Sequence, residues 1–354
     1  MKSKSLVAVI FSLFFFAGAC KKNQAFKELP GAGIQPVTAA LTSPVIAGIW
    51  TRIADAAMAG RYHAFSFSIN NKGFVGGGSN ADFLFPVYDF WSYDPSADLW
   101  TQKADVPDGP RVGAAAFAIG EKGYISTGFT MSDPHMIFGN KSDTWMYDAG
   151  SNTWTRKADF PGISRGGAVG ISINNRGYVG TGAHHNVYPI GDDVFKDWWE
   201  YDPATNRWNR KKDFPGTARC YAIGSPLLAT SLGCLGFGCS GVISAAANFN
   251  DWYQYDAAAD SWYYKGITPL AVRNSAVAMP LSKFIYAGTG STEAPYGRGT
   301  ATAKKDMWVY NASTNVWKPI ANLPAARSGA TGFSLGALIY VGTGFSPEFY
   351  TLLP

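Results

Sequence analysis

Six tryptophans recur along the chain at a nearly fixed step. Trp50, Trp100, Trp154, Trp208, Trp262 and Trp317 stand 50, 54, 54, 54 and 55 residues apart. A step near 50 repeated this often marks a chain of supersecondary units, none able to bury its apolar face alone; that length suits one four-stranded blade of a propeller. Other positions keep the step. Arg61, Arg111, Arg165, Arg219, Arg273 and Arg327 follow each tryptophan by about 11 residues, and Pro107, Pro161, Pro215, Pro269 and Pro324 by seven, with Ala57 in the first unit.

Within each unit a glycine-ended run follows, such as Gly73–Gly78 or Gly177–Gly182, and then an acidic-aromatic run such as Asp89–Pro95 or Asp197–Asp202. Large residues recur in short runs bounded by Asn-Asn and Asp-Pro turns, the pattern of short strands. Forty Gly, 20 Pro and an aromatic share of 15% fit many strands joined by turns, and a charged share of only 16% excludes a disordered chain. Thirty Lys and Arg against 25 Asp and Glu, with no basic cluster, give no footprint for nucleic acid.

These glycines and downstream aromatics resemble the kelch repeat over residues 43–354. The resemblance implies an all-β fold, a six-bladed kelch-type β-propeller. Its strands would be a, starting at the arginine; b, running into the glycines; c, through Trp/Tyr-Asp; and d, ending at the boundary tryptophan. The last unit stops at Glu348–Pro354, which matches strand c, while Val45–Trp50 precedes the first strand a. The N-terminal strand is therefore expected to complete the C-terminal blade and close the ring, removing exposed sheet edges.

Ahead of the repeat, Lys2 and Lys4 precede an apolar run from Leu6 to Ala19, which is about 14 residues and too short to span a bilayer. Phe16-Ala17-Gly18-Ala19-Cys20 resembles the lipobox of bacterial lipoproteins, and the following Lys-Lys-Asn resembles Bacteroidetes examples. Residues 1–19 are read as a signal peptide and 20–42 as a lipidated Cys20 with a flexible tether. An outer-membrane lipoprotein facing the periplasm is the expected location.

Strand order puts the d–a and b–c connections on one face. The six arginines are expected to ring the channel mouth there and to hold a carboxylate or phosphate through paired N–H donors. The alternative is that each guanidinium bonds backbone carbonyls of an adjacent blade. The variable b–c loops add His135, His184, His185, Tyr188 and Tyr296 as ligand-binding candidates, and Asp192, Asp193 and Glu293 as acid/base candidates. His184 and His185 are adjacent, so on a strand they point to opposite faces and chelate poorly. Only four histidines exist, and no Cys sits in the context of the kelch-like galactose oxidases, so no copper radical chemistry, and no cofactor, is expected. Cys220 and Cys239 are a possible disulfide, with Cys234 left free.

The expected function is a monomeric, envelope-tethered binding module for a glycan or an acidic peptide or protein, held to the membrane by its lipid. The alternative is a sugar-modifying enzyme resembling the kelch-type sialic acid mutarotase.

Overall fold

The computed structural model describes residues 48–80, 86–132, 137–186, 191–242, 246–293, 295 and 302–354. The signal peptide, Cys20 and the tether lie outside them. All regular structure among the described residues is β. Six four-stranded antiparallel sheets follow one another along the chain. In blade 1, strands a to d are Phe65–Ile69, Lys72–Gly76, Phe90–Asp94 and Leu99–Gln102. In blade 6, Ala330–Leu335, Leu338–Thr343 and Phe349–Leu352 are a, b and c, and Thr51–Arg52 is d. Thr51 faces Thr351 and Arg52 faces Tyr350, so the first strand completes the last blade. That strand lies just after Trp50; of the expected Val45–Trp50, residues 45–47 lie outside the described residues and residues 48–50 lead into the strand as a turn. Gly48 N–H also donates to Leu353 O at 2.9 Å, which places both ends of the propeller beside the a–b turns.

Two strand boundaries differ from expectation. Strand d begins at its tryptophan instead of ending there: Trp100 is the second residue of Leu99–Gln102. The cause is a tight c–d turn. Tyr93 Oη donates to Asp98 Oδ1 at 2.8 Å, Asp94 Oδ1 accepts the Ser96 N–H at 2.9 Å, and Asp98 itself has φ of 48°. Strand a begins four residues after its arginine. Arg61–Tyr62 pairs separately with Ser79–Asn80, and His63, with φ of 51°, turns the chain before Phe65.

Blades pack face to face through aromatics seated on glycine. A Cβ at Gly123 would lie 2.2 Å from the Phe67 ring of the preceding blade, and one at Gly177 would lie 2.2 Å from Phe117. Phe67 and Phe117 are core residues, so glycine is the only residue these contacts admit. The alternate side chains of strand a face the channel and are small: Ser66 and Ser68, Ala116 and Ala118, Gly170 and Ser172. At the a–b turn end the channel opens as a pit of about 490 Å³ whose lining carries no ionisable side chain.

Candidate functional site

The six arginines do not ring an open mouth. Each is at most 2% exposed. Arg61, Arg111, Arg165, Arg219, Arg273 and Arg327 pair with Asp89, Asp143, Asp197, Asp251, Asp306 and Glu348 at the start of strand c in their own blades. Each Nη1 also donates to a carbonyl at the end of strand b, as in Arg61 to Gly77 O at 3.2 Å and Arg273 to Thr289 O at 2.9 Å. Aromatic rings lie beside three of them; Arg165 is 4.0 Å from the Phe195 centroid, Arg219 4.3 Å from that of Phe249 and Arg327 5.4 Å from that of Tyr350. Burial alone would raise the carboxyls of Asp89, Asp143 and Asp306. The hydrogen bonds and charge of the arginines, joined by the indoles of Trp91, Trp145 and Trp308, more than offset it and hold all three below the ordinary value. The donors expected to meet a ligand are thus engaged inside the blades, because every blade needs the same tie between its d–a connection and strand c.

What does lie on the axis is the residue two positions further on. His63, Gly113, Gly167, Tyr221, Ser275 and Gly329 all have φ between 51° and 62°. Their backbones form a closed circle of hydrogen bonds. Gly113 N–H donates to His63 O, Gly167 to Gly113, Tyr221 to Gly167, Ser275 to Tyr221, Gly329 to Ser275 and His63 to Gly329, at 2.8 to 3.0 Å. Three members carry side chains. His63 meets Tyr221 across the circle with ring centroids 4.5 Å apart. A Cβ at Gly167 would lie 2.9 Å from the Tyr221 ring, and one at Gly329 would lie 3.0 Å from His63, so glycine there admits the two rings as well as the backbone angle. On the channel side of the circle, six alanines, including Ala64 and Ala222, line a small cavity of about 130 Å³.

A directional network runs from His63. Ser275 Oγ–H donates to Asn274 Oδ1 at 2.7 Å, so at 3.0 Å it accepts from His63 Nε2–H, which fixes that tautomer. Asn274 Nδ2 donates to Asn248 Oδ1 and Glu293 O, and Asn248 Nδ2 to Thr292 O. Burial, with the nearby charge of His185, lowers the His63 pKa to about 3, so its ring is neutral at physiological pH.

Beside this network, on the hairpin Ala183–Asn186/Gly191–Val194 between strands b and c of blade 3, His185 and Asp192 face each other. His185 Nδ1–H donates to Asp192 Oδ1 at 2.7 Å, and Asp192 Oδ2 accepts the Val242 N–H of blade 4 at 2.8 Å. Asn140 of blade 2 clamps the His185 backbone through both of its amide atoms. His184 points the other way, with Nδ1 2.7 Å from Ser164 O. Asp193 pairs with Asn186 Nδ2 at 3.2 Å and stands apart from the axis cluster. His135, Tyr188 and Tyr296 lie outside the described residues. Cys220 and Cys239 are buried thiols with Sγ atoms 3.7 Å apart, and Cys234 is buried elsewhere in the blade.

Sequence reasoning missed His63, Tyr221, Ser275 and the three asparagines. The signal was present: aligning the units on their arginines places three glycines and three larger residues at one position.

No family model matches the chain. It is 28% identical over 211 residues to Kelch-like protein 25 of Xenopus tropicalis, covering 58% of this chain and 33% of that protein. It is 28% identical over 147 residues to Kelch-like protein 34 of Homo sapiens, covering 40% of this chain and 21% of that protein. The matches therefore span a third or less of those relatives' lengths. Among solved structures, "Structure of YjhT" superposes with a TM-score of 0.65 at 14% identity, covering 84% of this chain and 95% of that one. The chain is a six-bladed β-propeller, and part of its sequence is similar to kelch-like proteins.

Proposed function

We propose that the protein is a binding module whose ligand, a glycan or a peptide, docks around the axis on the b–c face. One observation carries this reading. His63, Tyr221 and Ser275 hold left-handed backbone angles at positions where three other blades use glycine. Such angles cost about 1–3 kcal/mol per residue for non-glycine side chains, and they cluster where function retains them. Selection for an acidic ligand by the arginines drops out of the proposal, since those donors are internal. Hydrogen bonding and stacking by the axis cluster take their place. The segment Lys2–Cys20 supports a lipid-tethered envelope location, tested by fatty-acid labelling that is lost in Cys20→Ser.

The test of binding is a thermal-shift screen of the protein against neutral and acidic glycans and peptides. A ligand at 100 times its Kd adds about 2.7 kcal/mol to stability. His63→Gly and Tyr221→Gly install the residue of the other blades, so the fold persists and the ligand shift disappears. A shift retained in both variants moves the site off the axis.

A second reading rests on the His185–Asp192 couple, a carboxylate orienting an imidazole as in acid/base catalysis. It predicts exchange of sugar anomers, read by NMR magnetisation transfer and lost in Asp192→Asn. Binding without exchange leaves the first reading.

A further inference from the structure

In the first five blades the residue after the arginine is bridged to the residue just past the end of strand b. The bridge joins Tyr62 to Ser79, Val112 to Phe129, Gly166 to Ala183 and Asn274 to Ser291. In blade 4 it joins Cys220 to Cys239. The described residues hold three cysteines, and two of them fall on the two sides of one such bridge. The backbones exchange both hydrogen bonds, Cys220 N–H to Cys239 O and Cys239 N–H to Cys220 O, each 2.9 Å. A pair facing in this way has its Cα atoms about 5.5 Å apart, inside the range of about 4.4–6.8 Å that a disulfide spans. The two Sγ atoms already touch at 3.7 Å. Cys234 serves as the internal contrast: it is equally buried, but it faces Ser225 and Gln254 across its neighbouring strands.

We propose that Cys220 and Cys239 are joined by a disulfide in the mature protein, formed by exchange with an external disulfide while blade 4 is still open. One thiolate attacks the external disulfide R–S–S–R, giving a mixed disulfide and releasing R–S⁻. The second thiolate attacks the protein sulfur of that intermediate, forming the Sγ–Sγ bond and releasing the second R–S⁻. The two thiol protons leave on the two R–SH products, so two cysteines are oxidised and one external disulfide is reduced. Timing follows from burial. Both thiols are fully buried once the blade has closed, and burial pushes the Cys220 thiol well above its ordinary value, so the folded pair lacks the exposed thiolate that exchange requires.

The bond has a purpose at the candidate site. Cys220 directly precedes Tyr221 of the axis circle, and Cys239 begins the turn that delivers the Val242 N–H to Asp192. Ala183, Cys220, Tyr221, Cys239 and Val242 form one buried cluster. A covalent tie there fixes the blade 4 loop against the blade 3 hairpin that carries His185.

The experiment refolds the full chain with either oxidised or reduced glutathione, then unfolds and alkylates it without reductant. One tryptic peptide, residues 220–265, contains all three cysteines. Expected from the oxidised sample is a peptide two hydrogens lighter, alkylated on Cys234 alone, with chymotrypsin mapping the bond to Cys220 and Cys239. Three alkylated cysteines, or a bond that uses Cys234, overturn the proposal. Hydrogen exchange of the folded samples reads the positioning role, with the Val242 amide exchanging more slowly in the oxidised form. Equal exchange in the two forms overturns that role. Neither readout depends on ligand binding, so failure here is distinct from failure of the docking proposal.

Discussion

The indole N–H of Trp50 donates to the carbonyl of Ala321 at 2.8 Å, across 271 residues of sequence. The same bond joins consecutive blades elsewhere: Trp100 to Ala54 O, Trp154 to Ala104 O, Trp208 to Ala158 O and Trp262 to Lys212 O, at 2.9 to 3.1 Å. The junction between the chain's beginning and its last complete blade is therefore built like the junctions inside the chain. Trp50 also packs with Leu323, Ile339 and Leu352. Trp50→Ala should cost about 3–5 kcal/mol in urea unfolding. Removing residues up to 52 deletes strand d of blade 6, and a cooperative melt of that truncated protein would count against closure by this strand.

The arginines should behave as structural ties. Arg165→Ala leaves Asp197 partly buried without its partner and should cost about 3–5 kcal/mol. Arg210→Ala breaks an exposed pair with Asp213 and should cost less than about 1 kcal/mol. Equal losses in urea melts would contradict the assignment.

Histidine 63 should impose a pH dependence. Its folded pKa of about 3 lies below the ordinary value near 6.5, so between those values the unfolded chain binds a proton that the folded chain does not. Stability therefore falls as pH drops through this window, by up to about 1.4 kcal/mol per unit. In His63→Asn, which tolerates the backbone angle, the slope between pH 6.5 and 4 should fall by that amount. The depressed carboxyls of Asp89, Asp143 and Asp306 contribute fully above the ordinary carboxylate value near 3.9, and that contribution is lost at lower pH in both proteins. Parallel stability curves would refute the role of His63.

The circle of axial bonds should open only when blades separate. The amides of His63, Gly113, Gly167, Tyr221, Ser275 and Gly329 should exchange hydrogen as slowly as the strand b amides in the core. Gly167→Ala, which brings a methyl against the Tyr221 ring at φ of 62°, should speed exchange around the circle. Unchanged exchange in that variant would show that the bonds are independent of one another.

Blade number, ring closure and strand order were legible because each blade demands the same few residues, and six copies print that demand six times. The arginines were misplaced by looking at one residue of a pair. Arg165 and Asp197 repeat together, as do Arg219 and Asp251, and two opposite charges repeating in step describe a tie within the unit. The axis cluster was hidden for the opposite reason. His63, Tyr221 and Ser275 each occur once, and what brings them together is the curvature of the whole ring, which no single unit encodes. The His185–Asp192 pairing was half visible, since the alternation of a strand separates His184 from His185 but does not name the residue opposite.

Gly48 and Leu353 share a hydrogen bond at the end where the pit opens. The two described ends of the propeller, at Gly48 and Leu353, therefore leave it from beneath, like the foot of a bowl. A surface coupled directly at either of these two positions faces the neutral pit and leaves the axis cluster open to solution.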